Sequence, residues 1–200
     1  KPLILAGDMA DEKFCRQMVA DVLKQCGRID CLVNNAFSFI AKGLDATRED
    51  FERSFNVGPF AFALMTQLVA EPMKKQGGGA IVNVSSISAW IAQPNRWTYN
   101  TAKGAVAQLT RCAALDFAPD GVRVNAVAPG VVVTELHTVT NAVADYAAFL
   151  ERGKTTHPIG RVGTAEEVAG IILWLLSDEA GWVTGASMAI DGGRALASAR

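Results

Sequence analysis

The sequence predicts an α/β fold in which helices cover both faces of a doubly wound parallel sheet. Short apolar strands alternate with helical patterns from one end of the chain to the other. The strands are continuous apolar runs, such as residues 80–84, and runs of this kind are typical of strands buried on both faces. Because the 200 residues contain no repeat and no linker, we expect a single domain over residues 1–200.

Apolar runs between turn residues mark the expected strands. These are Leu3 to Ala6, Cys31 to Asn34, and residues 80–85, 123–128 and 186–190. The glycine cluster at residues 77–79 precedes a strand instead of following one. It is therefore interpreted as a helix-to-strand turn and not as a phosphate-binding loop.

Helices are expected between these strands, and residues with capping chemistry mark several of their ends. The expected helices are residues 11–25, a helix opened by a capping box at 47–50, 59–75, 98–117, and a last one capped by 164–167 that ends near residue 176. Gly27 is placed to end the first helix. Residues 134–160 are the least regular part of the chain, and we expect them to form a substrate lid.

Composition narrows the class of partner. A net charge of −1 gives no reason to expect nucleic acid or an anionic membrane surface. The four cysteines are scattered without a Cys-x-x-Cys pattern, which favours reduced thiols and argues against a metal site. No apolar run has the length of a membrane span, and the first residues lack the layout of a signal peptide. A cytoplasmic protein is the expectation.

Three polar residues carry the strongest chemical signal. Tyr99 and Lys103 are four residues apart in a helical pattern, so their side chains share one face of that helix. Ser86 follows the apolar run that ends near residue 85. A serine hydroxyl facing a phenol that is backed by an ammonium can polarise a carbonyl oxygen and exchange a proton with it. A nicotinamide would have to supply the hydride.

Several motifs occur together in a recognisable order. They are Asn34-Asn35-Ala36, Asn56, Ser86, Tyr99-x-x-x-Lys103 and Pro129-Gly130. In this order they resemble the short-chain dehydrogenase/reductases, and the likeness extends over essentially the whole chain. The resemblance implies a Rossmann-type, three-layer fold that binds NAD(H) or NADP(H). It also implies a homodimer or homotetramer assembled through helices 59–75 and 98–117.

The resemblance assigns catalytic roles to four residues. Tyr99 takes the place of the general acid/base, and work at neutral pH asks for a pKa about 3 below the ordinary value near 10. The charges of Lys103 and the nicotinamide are expected to supply that decrease. Ser86 is preferred to Ser85 for the bond to the substrate carbonyl. Asn56 matches an asparagine that interrupts a helix and holds a water; from the residue alone, an amide that satisfies its own backbone is the preferred interpretation.

The resemblance also implies a set of cofactor contacts. These are Asp8, Met9, Asn35, Ala36, Tyr99, Lys103, Pro129, Gly130, Val132 and Thr134. A helix cap is an open alternative for Asp8. The chain departs from the family pattern at Phe37 and Ala89, where glycine is usual.

Around this set, the sequence offers candidates for the lid and the substrate pocket. His137 and His157 are interpreted as lid residues, since neither forms part of a nucleophilic triad. His137 could also reach the substrate. Trp90, Ile91, Trp97 and Phe39 either line an apolar substrate pocket or belong to the core.

The N-terminal part of the pattern differs from the family. No Gly-x-Gly-x-x-Gly loop occurs, and Lys1 aligns with the start of the family's third strand. The two preceding strands and their helices would need about 50 residues. We therefore expect this chain to be part of a longer one. NAD and NADP cannot be told apart, because the residue that selects between them follows the second strand.

Three functions are compatible with these residues. The first is hydride transfer between NAD(P)(H) and a secondary alcohol or ketone. The second is reduction of a 3-oxoacyl thioester on a carrier protein, weakly disfavoured because the expected lid shows no basic cluster. The third is a non-catalytic fragment that only oligomerises.

Overall fold

The computed structural model describes residues 1–135 and 145–197 and contains one parallel sheet. Its strands are β1 (Cys31–Asn34), β2 (Gly79–Val84), β3 (Val122–Pro129) and β4 (Ser187–Ile190), which lie side by side in that order. Every neighbouring pair is parallel. The predicted α/β fold class is confirmed.

Helices connect the strands, and several of them pack on the sheet. They are α1 (Glu12–Cys26), α2 (Arg48–Phe55), α3 (Ala61–Lys75), α4 (Trp97–Phe117), α5 (Tyr146–Thr156) and α6 (Ala165–Leu176). Both predicted capping boxes form, with Thr47 and Thr164 accepting from the backbone N–H groups of Asp50 and Glu167. Gly27 ends α1 as predicted, with φ of 76° in the left-handed region that glycine tolerates.

The core consists of two clusters, one on each face of the sheet. Ile81 belongs to the cluster packed with α1, α3 and α4, which also contains Val69 and Met73. Val82, the next residue of β2, belongs to the cluster that contains Leu175 of α6. Successive side chains of a strand point to opposite faces, so an apolar run such as β2 binds both helical layers at once.

The predicted strand from Leu3 to Ala6 does not form. No described strand pairs with this segment, and the side chains of Leu3 and Ile4 are 42% and 82% exposed. A strand is held by hydrogen bonds to a neighbour and by burial of at least one face, and this segment has neither.

Two further expectations need correction. The helix predicted from residue 59 begins at Ala61, because Asn56–Phe60 forms a π-helical turn with Pro59 inside it. The segment expected to be irregular, 134–160, contains helix α5. Residues 136–144, including His137, lie outside the described part of the chain. Within the described part, no helix combines the length and the apolar character needed to cross a bilayer.

Candidate active site

Ser86 and Ser85 follow the carboxyl end of β2, and their hydroxyls have different partners. The Ser86 Oγ accepts a hydrogen bond from the Ser88 N–H at 3.2 Å and caps the short turn at Ile87–Ala89. The Ser85 Oγ donates to the Lys103 carbonyl oxygen at 3.1 Å, which ties α4 to the end of the sheet. Ser85 is therefore engaged with backbone that lies far from it in the sequence.

Lys103 lies beneath the site, where it is almost completely shielded from solvent. Its side chain is buried, and Nζ donates to the Val84 carbonyl oxygen at 2.8 Å. The same Nζ lies 3.8 Å from the centre of the Phe37 ring, in the range of a cation–π contact. Burial of the ammonium lowers the pKa of Lys103 to about 7. The lysine can therefore gain or lose a proton near neutral pH.

Tyr99 shares a face of α4 with Lys103, as the spacing predicted. Its ring packs against Phe39 with centroids 4.9 Å apart and meets the Phe37 ring edge-on at 5.6 Å. Burial raises the pKa of Tyr99, and the Ser86 hydroxyl and the charge of Arg96 oppose that increase in part. The direction is opposite to the decrease expected from Lys103, whose ammonium donates to Val84.

Asn56 lies where the helical path from α2 to α3 is interrupted, as predicted. Gly58 departs from helical geometry there, with φ of −98° and ψ of −109°. An added Cβ on Gly58 would lie 2.5 Å from Phe37 Cε2, so the kink and the Phe37 ring fit together closely. Asn56 is exposed, and its backbone carbonyl oxygen accepts from the Ala61 N–H. The water-holding role of Asn56 stays a prediction.

A buried polar chain behind the site was not foreseen. The Asn34 amide donates to Asn83 Oδ1 at 2.9 Å, and the Asn83 amide donates to the Thr110 Oγ1 at 3.0 Å. These groups connect β1, β2 and α4. An asparagine in the middle of an apolar strand, as at Asn83, was the sequence signal that could have revealed this chain.

The cofactor-binding candidates fall into two groups. Asn35, Pro129, Gly130, Val132 and Thr134 line one cavity together with Ser86 and Tyr99. Asp8, Met9, Ala36 and the buried Lys103 do not line it. The Asp8 carboxylate accepts from the Ala10 N–H at 2.8 Å, and Met9 packs against the core. Asp11, and not Asp8, caps α1, so the cap alternative for Asp8 is wrong.

The cavity lies at the carboxyl ends of the strands and has a volume of about 630 Å³. Parallel α/β sheets bind ligands at this edge. Of the predicted substrate-pocket residues, Phe39 lines the cavity, whereas Trp90, Ile91 and Trp97 line a neighbouring groove. Arg96 and Arg194 also line the cavity, and the sequence reasoning missed both.

His157 connects helix α5 with the loop that lines the cavity. The ring is buried, with Nδ1 3.0 Å from the Gly153 carbonyl oxygen, and Nε2 accepts from the Val131 N–H at 3.3 Å. Burial lowers the pKa of His157, which favours the neutral ring that this pattern needs. The Thr156 Oγ1 also lies 3.1 Å from Nδ1, and the lid role of His157 stays a prediction.

The residues present fit a nicotinamide cofactor at this edge. Gly130 passes so close to β4 that an added Cβ would lie 3.0 Å from Asp191 Cα. The Gly130 N–H is bonded to the Ile190 carbonyl oxygen, which fixes the start of the loop leading to Val132. Among the described residues, no cluster of His, Cys, Asp or Glu could hold a metal ion.

Comparison with known proteins identifies the family. The family model described as enoyl-(acyl carrier protein) reductase matches residues 1–195. The chain is 41% identical over 192 residues to an uncharacterized oxidoreductase of Thermotoga maritima, covering 94% of this chain and 74% of that protein. It is 37% identical over 188 residues to a cyclopentanol dehydrogenase of Comamonas testosteroni, covering 93% and 74%. The chain belongs to the short-chain dehydrogenase/reductases.

Solved structures support the same family. A gluconate 5-dehydrogenase from Burkholderia cenocepacia, in complex with NADP and tartrate, matches with a TM-score of 0.88 at 33% identity. The match covers 96% of this chain and 74% of that one. Members of the short-chain dehydrogenase/reductase family use NAD(H) or NADP(H), so the predicted cofactor class is confirmed. The comparisons do not distinguish between the two.

Proposed function

We propose that this protein transfers a hydride between NAD(P)(H) and a secondary alcohol or its ketone, with Tyr99 as general acid/base. The observation that carries the proposal is that Ser86 and Tyr99 line one cavity at the carboxyl edge of the sheet, with Lys103 buried beneath them. Relatives that act on cyclopentanol and gluconate support the alcohol class.

The side chains divide the work on the substrate oxygen. Ser86 donates a hydrogen bond to that oxygen, and Tyr99 gives it a proton during ketone reduction or takes one during alcohol oxidation. The bound nicotinamide supplies or accepts the hydride. Lys103 holds the nicotinamide ribose and places a positive charge below the phenol, and Asn56 holds a water at the kink that relays protons to solvent. Because burial raises the pKa of Tyr99, oxidation is expected to accelerate as the pH rises.

Replacement of tyrosine tests the mechanism, and the chain contains a matched control. Tyr99→Phe keeps the ring that packs on Phe39 and removes the proton carrier, so we expect kcat to fall by about 10³-fold or more with little loss of stability. Tyr146→Phe, at the start of α5, should leave kcat within about two-fold. The assay uses the protein at the full length that its gene encodes and follows the absorbance of reduced nicotinamide. A Tyr99→Phe variant with near-normal kcat would disprove the proposal.

The contacts to the cofactor form part of the same proposal. Asp8 and Met9 would contact the adenine, Asn35 and Ala36 would lie along its ribose, and the backbone of Val132 and the hydroxyl of Thr134, after Pro129-Gly130, would hold the carboxamide. NAD and NADP titrations of the same variants measure these contacts as changes in Kd.

A thioester of a carrier protein is the second candidate substrate, favoured by the description of the matching family model. Acetoacetyl thioesters assayed beside simple ketones separate the two substrates. The non-catalytic alternative is tested by the intact mass of the protein from its source. A heavier chain than 21.2 kDa, with activity, excludes that alternative.

We also propose that the chain forms a single domain in which residues 134–160 are the substrate lid. This domain assembles into a homodimer or homotetramer. Phe60 and Leu115, beside or on α3 and α4, are 61% and 78% exposed, which suits helices that bury apolar side chains against a second copy. Light scattering coupled to size exclusion measures the assembly. Leu115→Glu should shift it to smaller species.

A further inference from the structure

Two guanidinium groups face the cavity that holds Ser86 and Tyr99. Arg96 immediately precedes α4, three residues before Tyr99, and Arg194 begins the short turn Arg194–Leu196 after β4. Both line the cavity. The two residues are distant in sequence and meet because the carboxyl end of β4 and the start of α4 lie at the same edge of the sheet.

Neither guanidinium has an anionic partner among the described residues. Arg96 and Arg194 form no ion pair within 4.0 Å there, and no side-chain hydrogen bond from either is present. Several surface arginines, by contrast, have an anionic partner: Arg16, Arg28 and Arg161 each lie 2.6 Å from a carboxylate oxygen. The exposed side chains of Arg53, Arg111 and Arg152 also lack an ion pair within the described part of the chain, but none of them lines this cavity. Arg96 and Arg194 are thus unpaired guanidinium groups in a concave site.

The surroundings compensate this positive charge only in part. Burial and the charge of Arg96 lower the pKa of Arg194, and Asp191 opposes that decrease in part. The Asp191 carboxylate already accepts from the N–H groups of Gly193 and Ala195. His157, whose pKa is lowered by burial and then by Arg194, adds no charge at neutral pH. None of the described cavity-lining residues is Asp or Glu.

A chain of contacts connects this charge with the reacting centre. The Arg96 guanidinium lies 5.9 Å from the centre of the Phe39 ring, and the Phe39 ring packs on Tyr99. Gln93 lines the same wall, and its Oε1 accepts from the Ser88 hydroxyl at 2.6 Å, which leaves its amide N–H groups available to a ligand. A substrate whose oxygen lies between Ser86 and Tyr99 would thus find both hydrogen-bond donors and positive charge within the same cavity.

We propose that the substrate is an anionic hydroxy or oxo compound whose carboxylate or sulfonate binds between Arg96 and Arg194, an inference that rests on the proposed oxidoreductase function. Guanidinium groups bind such planar or tetrahedral oxyanions with paired, charge-assisted hydrogen bonds. The anion removes the repulsion between the two arginines. It also orients the carbinol carbon in the cavity, because one end of the substrate is fixed.

Pairs of substrates that differ in charge test this inference. The panel contains 3-hydroxybutyrate and 4-hydroxypentanoate, each beside its methyl ester, and the corresponding 2-hydroxyalkyl sulfonates beside neutral 2-alkanols. We expect kcat/KM to be about 10-fold or more higher for the anionic member of the preferred pair. Its kcat/KM should also fall as ionic strength rises.

Arginine variants identify the source of the preference. Arg96→Gln and Arg194→Gln should each lower kcat/KM for the anion about 10- to 100-fold more than kcat/KM for its neutral partner, with the extra loss in KM. Arg96→Lys should recover part of the loss. The matched control is Arg111→Gln, on the exposed side of α4, which should change neither. If one glutamine variant fails to fold, the other still decides the result.

The outcomes separate two failures. Equal or better turnover of the neutral members, or arginine variants that leave the anion-to-neutral ratio unchanged, would overturn this inference while the alcohol chemistry stands. Variants that raise the KM of NAD(P) in place of the substrate KM would overturn it too, since the arginines would then bind cofactor phosphates. Absence of turnover with every member, neutral alcohols included, would overturn the proposed function itself.

Discussion

The two predicted ends of the cofactor site, one around Lys103 and one around Asp8, are held in different ways. Lys103 is buried, and its Nζ is bonded to the carbonyl oxygen of Val84 on another element. Asp8 is exposed and accepts from the N–H of Ala10, two residues away. The catalytic end is thus built by long-range contacts, whereas local hydrogen bonds alone position the Asp8 carboxylate. We expect substitutions at the first end to change chemistry and substitutions at the second to change binding.

Lys103→Met should have the largest effect. We expect kcat to fall by about 10²- to 10⁴-fold, because the charge below Tyr99 disappears. The substitution should also change how the free energy of unfolding depends on pH. The unfolded lysine holds its proton to about pH 10, whereas the folded one releases it near pH 7. Raising the pH from 7 towards 10 therefore stabilises the native chain, and the variant should lack this increase.

Urea unfolding at a series of pH values measures that difference. At each pH, the free energy of unfolding of the variant is subtracted from that of the parent protein. This removes the contributions of other groups, including Cys15 and Cys31, whose pKa values burial raises. Lys75→Met, on the surface of α3, is the control and should keep the parent pH dependence. Identical pH profiles for the parent and Lys103→Met would show that the ammonium is hydrated.

Phe37→Gly should have an intermediate effect. It should expose Lys103 to solvent, so that its surroundings resemble those of Asp8 more closely. The Phe37 ring lies over the Lys103 Nζ and against Gly58, so its removal admits water to the ammonium. We expect the pKa of Lys103 to rise from about 7 towards its ordinary value and kcat to change by several-fold. Carbon-13 NMR of the lysine side chains gives the pKa directly. Phe39→Leu, which loses ring contacts with Tyr99 and Arg96 but none with Lys103, should leave it unchanged.

Asp8→Asn should have the smallest effect, confined to binding. Loss of one charge-assisted hydrogen bond to the adenine would raise the KM of the cofactor about five- to ten-fold at constant kcat. Asp11→Asn is the matched control, since asparagine caps a helix as well as aspartate does. A decrease in kcat for Asp8→Asn would contradict the division between the two ends.

The parts of the molecule that sequence reasoning found share a local origin. The strand from Cys31, the capping boxes at Thr47 and Thr164, and the spacing of Tyr99 and Lys103 all depend on residues close together in the chain. Each has a pattern that a short window of sequence contains.

The parts that it missed depend on distant contacts. The strand expected at Leu3 needs a neighbouring strand, and the run of apolar residues cannot reveal that none pairs with it. Arg96 and Arg194 meet through the topology of the sheet, and neither carries a motif. The direction of the Tyr99 pKa depends on burial and on where the Lys103 ammonium points, which spacing along a helix does not define.

The amide pair behind the site also determines how the strands align. Asn34 and Asn83 are direct partners in the register of β1 and β2. A slip of two residues would keep every apolar side chain on its original face, so the hydrophobic pattern alone tolerates it. Such a slip would separate the two amides and leave buried polar groups unpaired, at a cost of about 1–3 kcal/mol each. The two asparagines thus fix the register of β1 and β2, and with it the relative positions of the strand ends beside the cavity.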